Sequence, residues 1–202
     1  MILKKNENEH EKQKYIDLYI DKNNIYKKKY NYEYGHRNHA GRKKIYKTIK
    51  SLKINSICDV GCGGGEFCDW MTKKCKNVFG VDFASVKINK VVKNDKIKYI
   101  DAEAYDIPLS DKSVEFVSCF DCLEHCLEKD IDKILKEFKR IAINGYIFTI
   151  TYRQARTKSL NKEQLHMTVK PEDWWIKKIK NVNPNIEIFK IGKRQSCLLC
   201  LF

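Results

Sequence analysis

The chain predicts an α/β fold, a single doubly wound sheet of seven mostly parallel strands. Three observations predict it. From Asn55 onward, short apolar runs alternate with amphipathic stretches of helical period. The first run ends in a glycine-rich segment, Asp59-Val-Gly61-Cys-Gly63-Gly-Gly65. The last two runs flank a short polar turn, as an antiparallel hairpin does.

Ser56–Val60 reads as the first strand, and Phe67, Trp70, Met71 and Cys75 then share one helix face. Asn77–Asp82 is the second strand. Ala84 to about Asn94 is a helix with Val86, Ile88, Val91 and Val92 as apolar pairs. Lys96–Asp101 is the third strand and Val114–Phe120 the fourth. Asp130 opens a helix carrying Ile131, Ile134, Leu135 and Phe138. Gly145–Thr151 is the fifth strand. Pro171 suits the first position of a helix through Trp174 and Trp175, because its missing N–H is not needed there. Ile186–Ile191 and Ser196–Phe202 form the closing hairpin. The last strand is apolar without alternation, so it belongs inside the sheet and not at its edge.

The chain divides into a basic N-terminal helical extension, residues 1–53, and a core domain, residues 54–202. In the extension, Tyr15, Ile16, Tyr19 and Ile20 have helical spacing, as do Ile45, Ile49 and Leu52. Net charge is +14, distributed as +9, −2 and +7 over residues 1–53, 54–150 and 151–202. Basic ends around a near-neutral middle suit an anionic partner such as RNA. Lysine outnumbers arginine 34 to 6, however, as an AT-rich coding bias would produce, and solvated lysines need no partner.

No apolar run is long enough to span a membrane. The leading residues lack the apolar region of a secretion signal. The nine cysteines therefore read as reduced thiols, and a cytoplasmic location is expected. Cys119-x-x-Cys122-x-x-x-Cys126 and Cys197-x-x-Cys200 tempt a zinc reading. In extended strands Cys122 would face away from Cys119 unless the chain turns, and Cys197 away from Cys200. Small buried hydrophobes are the expected role, and no metal site is assigned.

The glycine segment carries the functional signal. Glycines permit a sharp turn and a close ligand approach. Asp82 ends the next strand, where a carboxylate can accept both hydroxyls of a ribose. Asp59, two residues before the first glycine, would repel a pyrophosphate. A ligand with adenosine, no phosphate and a cationic amino-acid end fits better.

With these features the chain resembles the class I S-adenosylmethionine-dependent methyltransferases, whose sheet is Rossmann-like. Ile57-Cys-Asp-Val-Gly-Cys-Gly-Gly-Gly-Glu-Phe67 resembles the first motif of that family, and Val78-Phe-Gly-Val-Asp-Phe83 the second. Tyr99-Ile-Asp-Ala-Glu103 with Asp106-Ile-Pro-Leu109 resembles the third. Phe116-Val-Ser-Cys-Phe-Asp-Cys-Leu-Glu-His125 resembles the fourth. The resemblance implies that Gly61, Cys62, Gly63 and Gly65 line S-adenosylmethionine, which leaves as S-adenosylhomocysteine. It implies that Asp59 orients the amino end and Asp82 binds the ribose, with Phe83 against adenine. Asp101 and Ala102 would meet the adenine edge. Phe120 and Asp121 would border the sulfonium.

Methyl transfer from a sulfonium is an in-line displacement, in which alignment does much of the work. An oxygen nucleophile also needs a base. His166, between strand five and the Trp174-Trp175 helix, is the candidate, with Asp121 as a second. A packing role is expected for His125 and for the tryptophans. His36 and His39, with Tyr34 and Arg37, suit a segment closing over the cofactor or an ordinary surface loop, and Arg153 and Arg156 an anion clamp or a solvated loop. The expected activity is methyl transfer to a hydroxyl or amine of a small molecule or sugar-type acceptor. The alternatives are an RNA methyltransferase using the basic ends and a catalytically silent methyltransferase-like binding protein. The absence from strand four of the Asn/Asp-Pro-Pro-Tyr/Phe signature counts against amino methylation of DNA.

Overall fold

The structure is a computed structural model, and it describes residues 47–83, 93–155, 164–192 and 195–202, without the side chains of residues 189–198. Parallel β1 (Ser56–Val60), β2 (Asn77–Val81) and β3 (Ile97–Ile100) lie on one side of the sheet. β4 (Val114–Phe120) returns to pair with the other edge of β1, and β5 (Ala142–Thr151) lies parallel beyond it. The hairpin of β6 (Ile186–Gly192) and β7 (Gln195–Leu201) completes the order β3-β2-β1-β4-β5-β7-β6. β7 runs antiparallel between β5 and β6, so the uniformly apolar strand is internal, as expected.

Both faces of the sheet are buried, and the period of two along each strand divides the core between them. Ile57, Phe116, Ile147 and Leu199 point to one face, where Phe67 and Met71 of α1 (Glu66–Met71) and Ile49 cover them. Cys58, Val117, Tyr146, Phe148 and Cys200 point to the other. There α2 (Ile131–Ile141) and α3 (Glu172–Val182) pack Ile134, Leu135, Phe138, Trp175 and Ile179 onto the sheet. Trp175 is wholly buried, consistent with packing rather than base stacking.

Several boundaries differ from the sequence expectation, three of them with a physical cause in the structure. α1 ends at Met71, and Cys75 is held afterwards by a turn, its thiol donating to the Ile54 carbonyl at 3.3 Å. β5 begins at Ala142, three residues before Gly145, because Ala142 pairs with Val114 ahead of an irregularity in register. Pro171 is the extended cap residue of α3 (ψ 162°) rather than its first helical residue. The expected helix from Ala84 lies largely outside the described residues, as do Tyr34, His36, Arg37, His39 and Arg156.

The chain runs outward from β1 to β3 and returns at β4, so the order reverses between β1 and β4. A crevice forms outside the carboxyl ends of the strands at such a switch point. The loop after β3 is anchored beside it. Arg140 of α2 donates to the carbonyls of Ile107 (2.9 Å) and Leu109 (2.7 Å), and Glu137 accepts the Ile107 N–H at 2.8 Å.

Candidate active site

Gly61, Gly63 and Gly65 all have positive φ, at 74°, 53° and 84°. The loop they form folds over β2, with the N–H groups of Gly61 and Cys62 both donating to the Val81 carbonyl. At two of these positions the protein itself demands glycine. A Cβ at Gly61 would lie 2.5 Å from the Cys122 sulfur, and one at Gly65 would collide with the Tyr99 hydroxyl. Side chains rarely adopt such φ values, so strain and collision act together.

Asp82, directly after β2, accepts the Gly63 N–H on Oδ2 at 2.9 Å, so a carboxylate supports the loop from below. Asp59 is 5% exposed. Its Oδ1 accepts the Ser118 hydroxyl at 2.7 Å and its Oδ2 faces the Cys68 thiol at 3.9 Å. Burial pushes its carboxyl up to about 7, opposed by the Ser118 hydrogen bond, while Cys122 and Asp82 add electrostatic repulsion. Among the described residues no cation pairs with it. Two buried carboxylates, no lysine or arginine beside Asp59, and a turned glycine loop suit a ligand bearing hydroxyls and positive charge; they do not suit a pyrophosphate.

The remaining expected residues share the same edge of the sheet. Phe83 is half-buried after β2, Asp101 is exposed after β3, and Ala102 is half-buried beside it. Phe120 ends β4 and packs edge-on against Phe67, ring centroids 5.0 Å apart. Asp121 follows in a left-handed turn (φ 51°). Its N–H donates to the Thr149 hydroxyl, which donates in turn to Asp121 Oδ1 at 2.7 Å.

That turn meets the condition on which the cysteine facing depended. The chain does turn at Asp121, and the Cys122 thiol meets those of Cys119 and Cys126. Hydrogen bonds from Cys119 and then Cys126 hold Cys122 well below the usual thiol range. The side chain of Cys197 lies outside the description.

His166 is buried on the loop after β5. Gln164 Oε1 accepts the N–H groups of Ala155, Leu165 and His166, which closes this loop on itself. The Thr168 N–H donates to the Glu124 carbonyl, and its hydroxyl to that of Cys126, which ties the loop to the turn after β4. His166 Nδ1–H donates to the Arg153 carbonyl, so in the neutral ring Nε2 carries the lone pair. Burial lowers the pKa of His166, which favours that neutral ring.

Glu124, beside His125 in the 3₁₀ turn Leu123–His125, received no role from the sequence. It is 1% exposed, and its Oε1 accepts the Thr151 N–H at 3.2 Å. Burial pushes its carboxyl well up. Ser118, Thr149 and Tyr99 were also missed. Strand periodicity could have found Ser118, a polar residue in an apolar run directly across from Asp59.

The sequence profile of a family described as "Methyltransferase domain" matches residues 58–150. Ajmaline N-methyltransferase of Rauvolfia serpentina is 28% identical over 122 residues, 56% of this chain and 41% of that protein. Ubiquinone biosynthesis O-methyltransferase of Hydrogenovibrio crunogenus is 29% identical over 123 residues, 57% of this chain and 50% of that protein. The chain thus spans half the length of these curated relatives or less. A crystal structure of an S-adenosylmethionine-dependent methyltransferase from Mesorhizobium loti is similar in fold, with a TM-score of 0.62 at 11% identity, over 83% of this chain and all of that one.

Proposed function

We propose that the chain carries a class I S-adenosylmethionine-dependent methyltransferase domain, a reading supported by the methyltransferase-domain profile over residues 58–150 and by the fold, and that it transfers a methyl group to a hydroxyl or amine of a small-molecule or sugar-type acceptor. One observation carries the reading: the left-handed glycine loop at the switch point is underlain by two buried carboxylates, and among the described residues no lysine or arginine pairs with Asp59. The bound cofactor supplies an electrophilic methyl group on a positive sulfur. Asp82 accepts ribose hydroxyls while bracing the loop through Gly63. Asp59 receives the positive amino end. Cys62 and the glycines shape the backbone around the methionine part, Phe83 covers the adenine, and Asp101 and Ala102 border its edge.

On the acceptor side, Phe120 and Asp121 flank the sulfur, and the Asp121 carboxylate is oriented by Thr149. His166 handles the acceptor's proton, since its Nε2 carries a lone pair and Arg153 fixes the tautomer. The two curated relatives described above are named Ajmaline N-methyltransferase and Ubiquinone biosynthesis O-methyltransferase, which supports a hydroxyl or amine acceptor of this class here.

The test is a labelled-methyl assay with S-adenosylmethionine and fractionated cell extract. Label in small metabolites or glycans supports the proposal. Label in RNA, with RNA binding that falls steeply with salt, replaces it with the reading that uses the chain's positive charge. Absence of cofactor heat in calorimetry rejects both in favour of a silent fold.

A further inference from the structure

We propose that Glu124, His125 and His166 bind one divalent metal ion of the first transition row at the acceptor end of the crevice. Each of the three residues offers one ligand atom, and these atoms all lie within 4.8 Å of one another. Two imidazoles and a carboxylate suit such an ion and leave coordination positions open to an incoming oxygen.

A second observation is independent of that spacing. Glu124 Oε2 is buried and, among the described residues, has no hydrogen-bond partner, although Glu124 itself is 1% exposed. A buried carboxyl oxygen left unpartnered costs free energy, and a bound cation would both meet it and favour the ionised form. The imidazoles are arranged as ligand histidines usually are, each giving its other ring N–H to a backbone carbonyl. His125 Nδ1–H donates to Leu165 at 2.9 Å, and His166 Nδ1–H donates to Arg153. Nε2 is then the ligating nitrogen of each ring. The rings stand edge to face, centroids 4.6 Å apart. Thr168 clamps the two segments that supply the ligands.

The proposal rests on the methyl-transfer reading only for what the ion would do. At the ends of β4 and β5 it would draw the acceptor's oxygen toward the methyl group and make a hydroxyl more acidic. With the ion bound, His166 Nε2 is committed as a ligand, so the acidified hydroxyl's proton would pass to Asp121, the second candidate base, and not to His166.

The test uses the full chain after chelation and dialysis, titrated with Mn²⁺ alone and followed by electron paramagnetic resonance. Mn²⁺ is chosen because thiolates do not favour it, so the nine cysteines do not compete. We expect one bound ion per chain, weakened by at least the ~10–100-fold typical of losing a group that merely orients a ligand, in Glu124→Gln and in His166→Asn. Circular dichroism and cofactor calorimetry verify that each variant folds; should one fail, the other carries the test. Absence of a stoichiometric ion, or equal Mn²⁺ binding by the parent and a folded variant, overturns the proposal. Cofactor and acceptor are absent from this titration, so such a result leaves the methyl-transfer reading standing.

Discussion

Asp59 makes cofactor affinity depend on pH in a direction that follows from its burial. Its carboxyl is pushed up to about 7, so in the ligand-free protein most of it is protonated below neutrality. The groups facing it are the Ser118 hydroxyl from β4, the Cys68 thiol from α1, and the Cys122 and Asp82 side chains at the neighbouring strand ends. Only the ionised form attracts a positive amino end. Between pH 5.5 and 7 the ionised fraction rises from roughly 3% to roughly 50%, so affinity for S-adenosylmethionine should rise about 15-fold, ~1.6 kcal/mol. Over this range an α-amino group stays largely charged. Calorimetric titration at half-unit pH steps measures the slope. In Asp59→Asn, which keeps an oxygen for Ser118, the slope should flatten and affinity at pH 7 should fall. Equal slopes in the parent and the variant would refute the assignment of Asp59 to the amino end. The stability of the ligand-free protein moves the opposite way. The folded state holds a proton that the unfolded chain releases near pH 4, so this contribution is present below that pH. It declines by up to about 1.4 kcal/mol per pH unit up to pH 7, and Asp59→Asn removes the decline.

Asp82→Ala should weaken cofactor binding by about 1–3 kcal/mol, through lost ribose hydrogen bonds and a less supported Gly63, with the melting transition still cooperative. Unchanged affinity by calorimetry would contradict its role. Gly61→Ala should destabilise the fold by about 2–4 kcal/mol, combining left-handed strain with the collision against Cys122. Adding Cys122→Ala removes the contact with sulfur but leaves a Cβ 2.8 Å away, so it should recover only a minor part of the loss in denaturant titrations, and full recovery would disprove that division. His166→Ala should lower turnover on the order of 10²–10⁴-fold with cofactor affinity intact. Near-normal turnover would exclude it from proton handling.

The parts of this molecule written in local pattern were legible in the sequence. Alternation of apolar runs and helical faces gave all seven strands, and the uniformly apolar Ser196–Phe202 correctly implied an internal strand. The glycine loop and its two aspartates were legible because strand-end chemistry needs those residue types within a short span. What escaped depends on single backbone angles and distant partners. The facing of Cys122 was settled by the positive φ of Asp121, which no periodicity encodes. Glu124 and His166 lie some forty positions apart, and the Thr168 clamp together with the His125–Leu165 hydrogen bond brings their segments together. The apolar run places the start of β5 at Gly145, and the pairing of Ala142 with Val114 carries the strand three residues further back.

The placement of β7 bears on how the molecule is made. On the ribosome β5 emerges before either hairpin strand, and its outer margin, Gly145–Thr151, is the one that β7 later takes. Until then a long apolar ribbon stands with its backbone donors and acceptors unpaired, a template for wrong partners. Nascent chains stalled within the hairpin should therefore recruit chaperones and resist solubilisation, although all the residues proposed to hold the cofactor have already been synthesised.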